Sequence, residues 1–82
     1  MTARQSIGLA VRTRPGTGAT VATIASGTDL PATCTDTRPT IYGWRGGRSN
    51  QWIRVTTHQG TGYAPEAWLQ TSEPARDLLP AC

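Results

Sequence analysis

The chain predicts an all-β fold: a small barrel of five to six short strands with an enlarged middle loop and a C-terminal tail held by a disulfide. Three observations carry this expectation. Apolar residues recur at period two in short runs, Gly and Pro close each run, and no segment sustains the 3.6-residue spacing of an amphipathic helix. With 82 residues there is room for one domain, whose hydrophobic burial only slightly exceeds chain entropy unless something staples it. Cys34 and Cys82 are the candidate staple. If paired, they close a loop long enough for the chain-entropy treatment to give roughly 4 kcal/mol, and they point to an oxidising compartment.

The elements follow in order. Leu9, Val11 and Thr13 alternate with Ala10 and Arg12 and stop at the turn RPGTGAT. TVATIASG contributes Val21 and Ile24 and ends on Ser26-Gly27, after which Leu30, Ala32 and Cys34 alternate with Asp29, Pro31 and Thr33. Pro31 has no N–H for a ladder, so this third strand belongs at an edge. TDTRPT breaks the pattern with polar residues and Pro39, TIYGW resumes it, and RGGRSN interrupts again, which implies a hairpin or an extended loop. QWIRVTT reads as a strand with Ile53 and Val55 inward and Trp52 and Arg54 on the opposite face. HQGTGYAPEAWL supplies a Gly turn, a short strand and one helix-like turn around Pro65 and Glu66, ending on Trp68 and Leu69. TSEPARDLLPAC is a tail, with one turn of helix over 74–79 and Leu78 and Leu79 laid on the barrel. The organisation is then a flexible N-terminus over 1–7, a barrel over 8–70 and a tethered tail over 71–82.

These segments resemble, in order and spacing, the bacterial SH3 (SH3b) family. GLAVRTRPGT is similar to the family's opening, Val21, Ile24, Gly27 and Leu30 to its second strand, turn glycine and third-strand start, and WIRV to its Trp-Tyr-Lys-Val strand. TGYAPEAWL is similar to its closing Gly-Trp-Val to Tyr-Leu segment, so the resemblance runs from Gly8 to Leu69. Ala10 stands where the family has Asn, Arg14 where it has Gly, and residues 35–51 make a longer middle. Secreted members with a middle extension and a C-terminal Cys are the most similar. The resemblance implies an SH3-like barrel that binds peptidoglycan or a peptide and carries out no catalysis.

The chemistry available is narrow. A zinc site needs three or four convergent ligands, and two distant cysteines with one histidine, His58, do not supply them. A Cys34–His58 thiol enzyme is opposed by the inward position of Cys34 and its disulfide partner. Asp29, Asp36, Glu66, Glu73 and Asp77 have no spacing that places two carboxylates in one cleft. A Walker phosphate loop requires Lys, and every basic residue here is Arg. No cofactor or metal is expected.

The net charge of +3 favours anionic surfaces, including wall polymers and nucleic acid. A single Arg45-Gly46-Gly47 is unlike the repeated arrays that bind RNA, and turn chemistry accounts for its glycines. Nucleic-acid binding therefore ranks third. An outward Trp52 either covers the tail or loop, or lines a shallow groove with Tyr42, Trp44 and Tyr63, where flat rings accept sugar faces or peptide prolines. Arg54 and Arg48 at its rim then meet a carboxylate of a wall peptide. The expected function is a binding module for a bacterial cell-wall component or extended peptide. The competing expectation is a structural part of a secreted or phage particle with no small ligand. No apolar run approaches bilayer-spanning length, and MTARQSIGLAV has no signal-peptide core. An extracellular or wall-associated location then requires a leader removed before Met1, release by lysis, or export inside a particle.

Overall fold

A computed structural model describes residues 1–3, 9–15, 18–44, 47–70 and 73–82, with the side chains of 39–44 and 47–48 left undescribed. Among the described residues the strands are β1 (Thr2–Ala3), β2 (Leu9–Arg12), β3 (Thr20–Ile24), β4 (Ala32–Trp44), β5 (Gly47–Thr57), β6 (Gly60–Pro65) and β7 (Leu69–Gln70). A 3-10 turn over Glu66–Trp68 links β6 to β7, and one short helix, α1, spans Ala75–Leu78. The chain is therefore mostly β, as its alternating pattern predicts, and the helical turns fall after Pro65 and Pro74, where Pro cannot extend a ladder.

Five strands form an antiparallel sheet in the order β3-β2-β6-β5-β4, and β1 pairs with β7 in a second, two-stranded sheet. The expected closed barrel is corrected here. Neither sheet closes on itself among the described residues, and β3 and β4 remain the edges of the larger one.

The core is built by the predicted alternation. Leu9 and Val11 of β2 and Ile53 and Val55 of β5 are fully buried, with Ile24 and Leu30 packed into the same cluster. Burying each such side chain contributes about 1.5–3 kcal/mol. Strands β2 and β6 approach so closely that a Cβ on Gly62 would lie 2.7 Å from both the Arg12 carbonyl oxygen and Val11 Cγ1. Only glycine fits that crossing.

The middle of the chain is strand rather than an enlarged loop. β4 pairs with β5 from Ala32↔Val55 to Trp44↔Gly47, so the hairpin alternative holds; Arg45 and Gly46 lie outside the described residues. Pro39 falls within a register shift between Thr37 and Tyr42, on an edge strand where a missing N–H is tolerated. The polar residues pair with one another. Thr35 Oγ1 donates to Gln51 Oε1 at 2.9 Å, and Gln51 Nε2 donates to Thr37 Oγ1 at 2.8 Å. A second register shift, between Ala32 and Cys34, sets Cys34 opposite Arg54 and Thr35 opposite Ile53. Cys34 thus leaves the inward row that alternation predicts, and is buried beside its disulfide.

Both ends are held. The N–H of Ala3 donates to Thr28 O at 2.9 Å, that of Leu30 to Met1 O at 2.7 Å, and the Ala3 side chain is in the core cluster. Of the N-terminus expected to be flexible over 1–7, residues 1–3 are thus paired, and 4–7 lie outside the described residues. At the other end Ala75 is fully buried and Leu79 packs on the core as expected, whereas Leu78 is 44% exposed and outside the core cluster. The Cys34–Cys82 disulfide spans 48 residues, and Thr35 accepts from Cys82 N–H and donates to Pro80 O, both at 2.9 Å.

Candidate functional site

Trp52 is the principal correction to the expected groove. Alternation does put it opposite Ile53, but its indole is only 3% exposed. It faces Pro65 across the β5–β6 ladder and Asp36 across the β4–β5 ladder. Pro65 is buried and marks the point where β6 gives way to the 3-10 turn, and β5 packs against both that turn and α1. Alternation fixes which face a side chain takes, whereas burial depends on what later elements lay over that face. Trp52 is a packing residue, which leaves the covering alternative for it and removes it from the ligand set.

Two residues further along β5 the cover ends. Arg54 is exposed and stands opposite Tyr63 of β6, which is half-buried; Tyr63 in turn stands opposite Arg12 of β2, also half-buried. Directly paired residues share a sheet face, so Arg12, Tyr63 and Arg54 form one row across three strands, its two guanidinium-bearing positions about 10 Å apart at the usual strand spacing. Arg12 also donates from Nη1 to Gly18 O at 3.3 Å, across the turn that follows β2. The side chains of Tyr42, Trp44 and Arg48 lie outside the described residues, although their backbones are in the hairpin, with Tyr42 paired to Ser49, Gly43 to Arg48 and Trp44 to Gly47.

The row sets two Arg beside one Tyr, residue types whose chemistry suits an anion. Arg supplies forked donors matched to carboxylate geometry, and the half-buried Tyr offers a flat apolar surface with a polar tip. Of this row the sequence nominates Arg54 and Tyr63 but not Arg12. The signal was present in part, since Leu9 and Val11 inward place Arg12 outward, but the β2–β6 register that brings it beside Tyr63 cannot be read from one strand alone.

A concavity of about 240 Å³ lies between the end of β3, the segment before β4 and the β5–β6 turn. Buried Ile24 and Leu30 line it with Pro31, and Asp29, Thr56 and His58 supply polar groups. Asp29 already accepts from Thr2 Oγ1 at 3.4 Å. This volume is below the range of about 300–1,000 Å³ that encloses a drug-sized ligand. His58 and Asp29, weighed separately in the sequence, do line one cleft, but no group of three His, Cys, Asp or Glu side chains is arranged to hold a metal among the described residues.

Compared with protein-family profiles, curated proteins and solved structures, the chain matches none.

Proposed function

We propose that the chain is a non-catalytic binding module that takes an extended, carboxylate-bearing ligand, such as the peptide of a bacterial cell-wall component, across the Arg12–Tyr63–Arg54 row. The observation that carries this reading is the register: two Arg positions flank one Tyr on the sheet face opposite Ile53, where Arg54 is exposed and Arg12 and Tyr63 are half-buried. Thiol catalysis is disfavoured because both cysteines are held in a disulfide. An SH3-like module is supported by where the family-like segments fall: the LAVR segment is β2, WIRV lies in β5, and GYAPEAWL runs through β6, the 3-10 turn and β7. The disulfide favours an oxidising, extracellular setting.

Co-sedimentation with purified peptidoglycan tests it. Tyr63→Ala and Arg54→Ala should each weaken binding about tenfold, because each removes one charge-assisted or stacking contact while leaving the core intact. Arg54→Lys should recover only part, since an ammonium lacks the planar fork. Unchanged binding by a folded Arg12→Ala/Arg54→Ala variant would remove the proposed surface.

A structural part in a particle is the competing reading, and β3, an edge strand among the described residues, is what favours it. Self-association in native mass measurement, abolished by a Pro placed at exposed Thr23, would select it.

A further inference from the structure

The tail makes a second interaction surface visible. Residues 80–82 run parallel to the outer edge of β4, bridging at Thr35↔Ala81, with Thr35 N–H donating to Pro80 O and Cys82 N–H donating to Thr35 O. The tail therefore serves as an added strand, and it does so with little burial, because Pro80 through Cys82 are exposed and none belongs to the core cluster. The apolar anchors lie earlier, at fully buried Ala75 and partly buried Leu79. Two backbone hydrogen bonds to Thr35 do little alone to hold a chain end against fraying; the covalent bond to Cys34 holds it.

We infer that the outer edge of β4 is a strand-acceptor site, occupied in cis by the tail and opened to an extended peptide partner when a dithiol reduces Cys34–Cys82. One thiolate of the dithiol attacks a sulfur of the bond and displaces the other cysteine as thiolate. The second dithiol sulfur then resolves the mixed disulfide, leaving two protein thiols and an oxidised dithiol, with two electrons transferred and both protein thiolates protonated. Cys82, being exposed, is the accessible sulfur. Release of 80–82 frees the N–H and C=O of Thr35 on an edge strand that continues past it to Trp44. The partner's chemistry is set by the segment that already fits: a proline-led, extended chain with a small residue opposite Thr35, adding in parallel through main-chain hydrogen bonds.

The test uses the full chain, oxidised and after dithiothreitol, with the synthetic peptide Leu-Pro-Ala-Ser-Val-Thr-Val-Thr as the probe, which continues past the end of the tail along β4 and so gains hydrogen bonds that the tail does not make. Hydrogen exchange read by NMR should show the Thr35 amide losing its protection on reduction while β5 amides such as those of Ile53 and Val55 stay protected by at least about a hundredfold. The peptide should bind the reduced chain, restore Thr35 protection, and bind the oxidised chain at least about tenfold more weakly. A C34S/C82S variant should behave as the reduced chain. Retained Thr35 protection after reduction, joint loss of protection at Thr35 and the β5 amides, or equal peptide binding in both states would each overturn the inference.

Discussion

Trp52 and Tyr63 show how two aromatic residues of one sheet acquire different tasks. Both are on the face opposite Ile53, yet Trp52 is sealed beneath later elements whereas Tyr63 remains half-buried beside exposed Arg54. Replacing Trp52 with Ala should therefore act through stability: a large buried ring is lost, at a cost of about 3–5 kcal/mol in denaturant unfolding, with Trp52→Phe recovering much of it. Tyr63→Ala should do the reverse and change unfolding by less than about 1 kcal/mol while reducing ligand binding. An unfolding midpoint unmoved by Trp52→Ala would mean that the indole is not packed as described. Glu66 is the other decisive residue. Its carboxylate accepts from Ser49 Oγ at 2.5 Å and from the Ala75 backbone N–H, so one side chain joins the hairpin, the 3-10 turn and the tail. Glu66→Ala should cost about 2 kcal/mol in urea unfolding, and Ser49→Ala about half that, because the backbone donor at Ala75 then keeps its acceptor.

The elements divide into those legible in the sequence and those that depend on a distant partner. β2 and the inward row of β5 were legible because alternation alone sends Leu9, Val11, Ile53 and Val55 to one side. The turn after Pro65, the helix after Pro74 and the cysteine pairing were legible from local chemistry and spacing. β4 was not. Its polar TDTRPT stretch and Pro39 resemble a loop, but β5 supplies a ladder, the edge position excuses the proline, and Thr35, Thr37 and Gln51 satisfy one another. β1 is too short to show any period, and its partners at residues 28–30 and 69–70 are remote in sequence. For the candidate site, Arg54 and Tyr63 were visible as outward residues, whereas the contribution of Arg12 and the burial of Trp52 depend on register and on packing between elements.

As a whole, the molecule is a small β structure whose ends are both built into it, and its covalent link spans more than half of the sequence. The chain-entropy treatment gives that link roughly 4 kcal/mol, a large share of the 5–15 kcal/mol typical of a domain. C34S/C82S should accordingly lower the thermal midpoint by on the order of 20 °C, read by circular dichroism, with the folded baseline retained at room temperature. Ligand binding across the Arg12–Tyr63–Arg54 row should fall only modestly in this variant: Arg54 stands opposite Cys34, but the β2–β6 pairing that brings Arg12 beside Tyr63 involves neither cysteine.

The most direct test of that surface is an amide-shift titration of the oxidised chain with a soluble stem peptide released from peptidoglycan. Shifts centred on Arg12, Tyr63 and Arg54, with the Trp52 indole signal unmoved, are the predicted result. Saturable shifts confined to the cleft around Asp29 and His58, or none at millimolar peptide, would contradict it.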